Sequence, residues 1–290
     1  MDQELIKPGV LKEITKRHDF RFTKSLGQNF LIDANILDKI IRASDIGEND
    51  IVIEVGTGIG TLTKELAERA KKVYAIEIDK KLIPIVEETT SQYNNIVLIN
   101  KDFLETQLTD IVEEKNSPVK VIANIPYYIT TPIIMKCLES EIFVDTLVLM
   151  IQKEVAERLG ASASTKQYGS LSVAVQYYAN VEFVSKVSKT SFYPIPNVDS
   201  GIVKLRKKPE TDLTLKDKEL FFQVTRGSFA KRRKTILNSL IGYTDFFTKE
   251  LVKKALEHAE IDPKRRGESL DIIEFAKLSN SFFELRDFKR

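Results

Sequence analysis

Between residues 51 and 159 the chain alternates short apolar runs with segments whose apolar positions recur every three or four residues. The runs are Ile51–Val55, Val73–Ile78, Ile96–Ile99, Val119–Ala123 and Thr146–Ile151. They are short and mostly rich in β-branched residues, which predicts strands rather than helices. Helical spacing marks Leu62–Ala70, a stretch beginning near Lys80, another after Pro132, and Lys153–Leu159. Strand and helix in alternation mean βαβ units and a mostly parallel sheet. The nearly continuous apolar character of the strands suits cover on both faces. Val181–Val187 and Gly201–Arg206 predict two more strands, joined only by the loop Thr190–Ser200, and therefore an antiparallel hairpin at a sheet edge. An α/β sheet ending in a hairpin suggests a variant of the doubly wound fold.

Residues 1–34 are mixed and polar, with Lys7, Lys12, Lys16, Arg17, Arg21 and Lys24, and read as an arm that is mobile at its start. A helix over Asn35–Ala43 follows, with Ile36, Leu37, Ile40 and Ile41 at helical spacing. Beyond Lys207-Lys208-Pro209-Glu210 the pattern becomes helical throughout: Leu220–Phe229, Thr235–Leu240, Phe246–Leu256 and Leu270–Phe283. The expected organisation is an α/β domain over residues 1–206, arm included, and a small all-helical domain over 207–290.

Composition narrows the class. The 290 residues are 42% hydrophobic and 30% charged, ordinary values for a soluble globular chain. No apolar run reaches the ~18 residues of a membrane span. Residues 1–7 carry no secretion signal, so the cytoplasm is the expected compartment. One cysteine, Cys137, and two histidines, His18 and His258, exclude a disulfide framework and a Cys/His metal cage. Nothing calls for an oligomer. The net charge of +2 hides an asymmetry: residues 204–290 hold 21 Lys and Arg against 14 Asp and Glu, which leaves −5 for residues 1–203. Such a split fits small-molecule chemistry in one part and a polyanion facing the other, or simply a solvated basic surface.

Candidate chemistry collects where the predicted strands end. Glu54-Val55-Gly56-Thr57-Gly58-Ile59-Gly60 puts glycines after a buried strand, where a sharp turn and close backbone approach to a ligand are needed. The spacing is G-x-G-x-G, unlike the G-x-G-x-x-G of dinucleotide folds. Glu77 ends the second strand, where a carboxylate can accept both hydroxyls of a ribose; NAD and S-adenosyl-L-methionine both carry one. Asp102, ending the third strand, could accept from an adenine amine, with Phe103 covering the ring. Asn124-Ile125-Pro126-Tyr127 follows the fourth strand directly. An exocyclic adenine amine is a poor nucleophile because its lone pair is delocalised. Two acceptors, the Asn124 side-chain oxygen and a main-chain carbonyl such as that of Ile125, can hold its hydrogens and free the lone pair for attack on a methyl sulfonium. Pro126 fixes the backbone, and Tyr127 offers a π-face to an extruded base.

Together these blocks resemble the ribosomal RNA adenine N6-dimethyltransferases, most closely the branch that acts on the small subunit. Further blocks carry the resemblance: Leu26–Leu31, Gln152–Ala156, Tyr168–Ser172, Phe192–Ser200 and Phe229–Lys234. It spans nearly the whole chain. It implies a Rossmann-like class I S-adenosylmethionine-dependent methyltransferase sheet with a small all-helical C-terminal domain, and S-adenosyl-L-methionine as cofactor. Asn29 and Leu31 would lie against the methionine part, and Gly56 would contact the cofactor through its backbone. Glu77 would hold the ribose and Asp102 the adenine. Asn124 would border both cofactor and target amine. Tyr127 would stack on the target base, with Phe192 on its other face. The implied substrate is a pair of adjacent adenosines in a hairpin loop near the 3′ end of 16S rRNA, in the immature small ribosomal subunit, each dimethylated. Arg226, Lys231, Arg232, Arg233 and Lys234 are candidate phosphate contacts, with Lys264, Arg265 and Arg266 as a second cluster. The competing readings are a 23S rRNA dimethylase, a non-catalytic subunit-assembly factor, and an NAD-dependent oxidoreductase, the last opposed by the glycine spacing.

Overall fold

The computed structural model describes residues 4–23, 26–114, 117–208 and 213–286. Residues 1–3 and Lys24 of the expected arm, and Pro209 and Glu210 of the expected linker, lie outside the described residues. The chain forms two compact units, one of Met1–Ala156 with Val181–Lys207, the other of Glu157–Asn180 with Lys208–Arg290. A single break at 206/207 therefore does not describe the division, because residues 157–180 group with the later helices.

In the first unit the arm carries a helix. α1 (Pro8–Arg17) starts with proline in its first turn, where a missing N–H costs nothing. Its lysines mask an amphipathic stripe: Leu11 and Ile14 are buried with Leu5, Phe20, Phe30 and Ile59. β1 (Phe30–Leu31) leads into α2 (Ala34–Ser44), capped by Asp33, whose side chain accepts from the Asn35 and Ile36 amides. Then come β2 (Ile51–Val55), α3 (Thr61–Ala67), β3 (Lys72–Glu77), α4 (Ile83–Thr89), β4 (Ile96–Asn100), α5 (Leu108–Ile111), β5 (Val119–Asn124), α6 (Thr130–Leu138) and β6 (Val144–Gln152). α7 (Lys153–Leu159), α8 (Ser170–Tyr178) and β7 (Ala179–Val187) lead on to β8 (Phe192–Tyr193) and β9 (Ser200–Lys207).

Seven strands form one sheet in the order β4-β3-β2-β5-β6-β9-β7. β4, β3, β2, β5 and β6 are parallel, and β9 runs antiparallel to β6. β7 and β9 are neighbours at the edge, as the sequence leads one to expect. The predicted α/β class holds. β2 is buried along its whole length, whereas β4, at the other edge, is only partly covered. The chain passes from β2 outward to β3 and β4, then returns to β5 on the other side of β2. This reversal opens a crevice at the carboxyl ends of β2 and β5, the usual ligand position in open α/β sheets.

The second unit is helical within the described residues. Besides α8 it contains α9 (Lys218–Ala230), α10 (Ile236–Leu240), α11 (Lys249–His258) and α12 (Ile272–Arg286). One apolar cluster joins Tyr168 and Val173 to Phe221, Phe247, Phe275 and Phe282.

Candidate functional site

The glycine turn shapes the crevice. Gly56, Gly58 and Gly60 all have positive φ, at 78°, 58° and 87°. A Cβ on Gly58 would press on the Phe30 ring at 3.2 Å, and one on Gly60 would meet Thr89 Oγ1 at 2.6 Å. Only glycine serves at these two positions. The Gly56 N–H donates to the Ile76 carbonyl at 2.8 Å, continuing the sheet ladder for one step past β2.

Glu77, at the end of β3, holds this turn in place. Its Oε2 accepts from Thr57 Oγ1 and the Gly58 N–H, both at 3.2 Å, and its Oε1 accepts from the Asp79 N–H at 2.8 Å. Burial pushes this carboxyl above the usual range, while those three bonds oppose the shift. A carboxylate offers about four acceptor positions, so capacity remains for a ligand hydroxyl. Glu54, at the next strand, is fully buried, and neither of its carboxyl oxygens has a hydrogen-bond partner. Burial is the main cause that pushes it up to about 8, with Thr63 opposing and Glu77 adding to the rise.

A carboxyl held above its unfolded value of 4.5 binds its proton more tightly when folded. Its contribution to stability is therefore full below that value and is lost as pH rises towards 8. The loss is at most ~1.4 kcal/mol per pH unit across that window. Glu54→Gln, which cannot ionise, should melt above the parent protein at pH 9, with the gap closing towards pH 5. Thermal melts of the ligand-free protein across this range check it; a gap that does not change with pH would show that Glu54 titrates normally.

Asn124 ends β5. Its Nδ2 donates to the Asn29 main-chain carbonyl at 3.1 Å, and Asn29 Nδ2 in turn donates to the Gly27 carbonyl at 2.9 Å. Spending the amide nitrogen on Asn29 fixes the flip of Asn124 and leaves its Oδ1 as an open acceptor. Tyr127 stands on a single 3-10 turn after Pro126 and is half-buried. Its hydroxyl shares a 2.7 Å hydrogen bond with Ser200 Oγ at the start of β9, which steadies the ring, and burial raises its pKa. Asp102 turns the chain after β4, its Oδ1 accepting from the Leu104 N–H at 2.8 Å.

Asn29, Leu31, Gly56, Glu77, Asp102, Asn124 and Tyr127 all line one cavity in the first unit. Phe192 does not. It is 1% exposed and belongs to the main apolar cluster, because β8 pairs with β1, placing Phe192 opposite Leu31. As a second face for a stacked base, Phe192 is thus corrected to a core residue in this structure. Tyr128 and Gln28 are among the lining residues to which the sequence reading gave no role. Tyr128 is 57% exposed and also lines the cavity. Gln28 bridges the Thr23 amide and Asp79 Oδ2 at 2.8 and 2.7 Å, fastening the segment before β1 to the end of β3. A paired Tyr-Tyr was the available signal for the first; nothing marked the second beyond its place in the Leu26–Leu31 block.

The basic residues lie in the second unit. Lys231, Arg232, Arg233 and Lys234 occupy the turn between α9 and α10 rather than a helix face, and all four are exposed, as is Arg226 on α9. Arg232 donates to the Lys166 carbonyl and lies 3.5 Å from Glu268, so it is partly committed. In the second cluster both terminal nitrogens of Arg265 donate to the Glu274 carboxylate, a structural pair. No group of acidic, cysteine or histidine residues able to hold a metal occurs among the described residues.

Comparison with known proteins bears on this geometry. Residues 19–278 match the family model of the ribosomal RNA adenine dimethylases. The chain is 49% identical over 290 residues to the ribosomal RNA small subunit methyltransferase A of Geobacillus thermodenitrificans, covering 98% of this chain and 99% of that one. It is 50% identical over 274 residues to the protein of the same name from Clostridium botulinum, covering 94% and 98%. Among solved structures it resembles a dimethyladenosine transferase from Plasmodium falciparum, with a TM-score of 0.74, 33% identity and coverage of 88% and 98%. It also resembles the 23S rRNA methyltransferase ErmE, with a TM-score of 0.67, 29% identity and coverage of 88% and 100%.

Proposed function

Because this chain belongs to the ribosomal RNA adenine dimethylase family, we propose that it is the methyltransferase that converts two adjacent adenosines near the 3′ end of 16S rRNA to N6,N6-dimethyladenosines. The small-subunit substrate rests on relatives about half identical over nearly the full length. The single observation that carries the chemistry is Asn124, its amide nitrogen held by Asn29 and its oxygen left open at the strand end.

The methyl donor is S-adenosyl-L-methionine, which supplies an electrophilic methyl on a sulfonium. The cavity suits it: a glycine turn no side chain could occupy, a carboxylate at the end of β3, and apolar walls at Ile78 and Phe103. Glu77 would hold the ribose hydroxyls, Asp102 the adenine amine, and Asn29 with Leu31 the methionine part. Gly56 would contribute its carbonyl and Cα, its N–H being committed to Ile76. Asn124 Oδ1 and the Ile125 carbonyl would each accept one hydrogen of the target amine, which turns its lone pair towards the methyl. Tyr127, braced by Ser200, would stack on the extruded base, and Tyr128 at the same cavity would limit access of water. The leaving group is neutral, so the excess proton passes to water without a strong base.

We assign RNA contact to Arg226, Lys231, Arg233 and Lys234, with Arg232 contributing less. The substrate form is the immature small subunit in the cytoplasm; no described helix is long and apolar enough to cross a membrane. Arg233→Ala with Lys234→Ala should weaken binding to 16S rRNA uniformly across sequences. It should also flatten the slope of log K against log salt by roughly 1.5, since each neutralised phosphate contributes about 0.7–0.9. Arg265→Ala should instead lower the melting temperature and leave that slope unchanged, because Glu274 already claims its charge. Filter binding at several salt concentrations separates the two; equal slopes in the parent and the double variant would remove the turn from the RNA interface.

The reading as a whole is tested by methyl transfer from radiolabelled donor to small subunits that lack the modification, with 23S rRNA in parallel. Reverse-transcription stops should map the label to adjacent adenosines near the 3′ end of 16S rRNA. Label in 23S rRNA alone would overturn the substrate, and subunit binding without any label would overturn catalysis.

A further inference from the structure

Glu54 is buried without a partner, yet it lines the donor cavity. Such a group is costly as an anion and needs a reason to be there. Among the described residues no lysine or arginine hydrogen-bonds to its carboxyl. Glu77 faces it from β3, and Thr63, itself buried with an unpartnered hydroxyl, stands near it on α3. α3 also carries Lys64 and Glu65, the latter paired with Arg69 at 3.0 Å. Ile40 of α2 and Asn124 of β5 complete the wall. Three carboxyls line the cavity, Glu54, Glu77 and Asp102, against one lysine, Lys101. A cavity with three carboxyls, one of them buried without a hydrogen bond, favours a ligand that carries positive charge.

Position narrows which charge. Glu54 pairs with Ile122 on β5, two residues before Asn124. At ~4.8 Å between strands and ~3.3 Å per residue, Glu54 and Asn124 lie within roughly 10 Å of each other. A donor sulfur that presented its methyl beside Asn124 would therefore lie in the electrostatic range of Glu54.

We propose that Glu54 is the counter-charge to the donor's sulfonium, protonated in the free protein and ionised when the donor binds, and so the residue that makes the cavity prefer the charged donor to its neutral thioether product. This rests on the reading of the cavity as the S-adenosyl-L-methionine site. Donor and product share every other group, including the amino-acid ammonium, so the extra methyl and its charge are what Glu54 discriminates. Donor binding releases a proton from Glu54 to solvent. After transfer the thioether leaves Glu54 facing one positive charge fewer, the carboxyl regains a proton, and product retention weakens. The free-state protonation agrees with the rise in Glu54 pKa caused by burial.

The test is isothermal titration calorimetry of the full chain with S-adenosyl-L-methionine and with S-adenosylhomocysteine at pH 7, in buffers of different ionisation enthalpy. More than half a proton should be released per donor bound, and clearly less per product bound. Glu54→Gln mimics the protonated acid in shape and should fold; it should abolish the difference in proton release and reduce the preference for donor over product on the order of tenfold. Equal proton release by parent and Glu54→Gln, or no release by the parent, would overturn the proposal while leaving the cofactor site standing. A parent protein that binds neither compound would overturn the cofactor reading and this proposal with it.

Discussion

Asn124→Ala should slow methyl transfer about 10²–10³-fold at saturating donor while changing donor affinity by no more than a few-fold. The expected size is that of removing one preorganised hydrogen-bonding group from a site where charge develops in the transition state. In the proposed role the amide oxygen would help the target amine only as its nitrogen pyramidalises, so the loss should fall on the chemical step and not on binding. Asn124→Asp should fail to rescue. It keeps an acceptor but gives up the Nδ2 donor that anchors the side chain to the Asn29 carbonyl at 3.1 Å, and it sets a carboxylate against that carbonyl. Single-turnover transfer of labelled methyl to unmodified small subunits, beside donor binding by calorimetry, reads both quantities. Activity within threefold of the parent in Asn124→Ala would displace Asn124 from the reaction.

Glu77→Gln should weaken donor binding about 30–300-fold and lower the melting temperature as well. The carboxylate accepts three donors, Thr57 Oγ1, the Gly58 N–H and the Asp79 N–H. A glutamine replaces one acceptor oxygen with an NH2 group, which then faces a backbone N–H in a buried site. Hydrogen bonds to an ionised acceptor are the stronger kind, and an unsatisfied buried donor costs about 1–3 kcal/mol. Losing both the turn's anchor and the proposed ribose acceptor would sum to roughly 2–3.5 kcal/mol. Calorimetric titration with donor and a thermal melt measure the two effects. Unchanged donor affinity would mean that the ribose is held elsewhere.

The sheet was legible in the sequence because strands covered on both faces are apolar along their length, a pattern that survives without any knowledge of neighbours. The cavity was legible for a related reason: glycines, Glu77 and Asn124 each sit at a strand end, so locating the strands locates the residues that line it. What escaped depended on contacts far apart in the chain. The pairing of Phe192 with Leu31 joins two-residue strands, which carry no periodicity, and it decides that Phe192 points into the core. α1 escaped because its lysines dilute an apolar stripe that only Phe20, Phe30 and Ile59 make visible. α8 escaped because Val173, Ala174 and Val175 are apolar on successive positions, which blurs its helical period. Glu54 was visible as a letter of the glycine motif, but its complete burial is a property of the packing.

The two-piece second unit limits how its parts can be exchanged. Ser172 Oγ donates to the Arg158 carbonyl, Gln176 donates to the Leu159 and Ala161 carbonyls, and Tyr168 and Val173 share the apolar cluster of the later helices. A graft that took only residues after Lys207 from a relative would leave the host's residues 157–180 facing foreign helices. A deletion at the same point would strip their cover and expose a sticky apolar surface. Any attempt to retarget the enzyme by swapping its helical module must therefore transplant both segments together, cutting the recipient chain in three places rather than one.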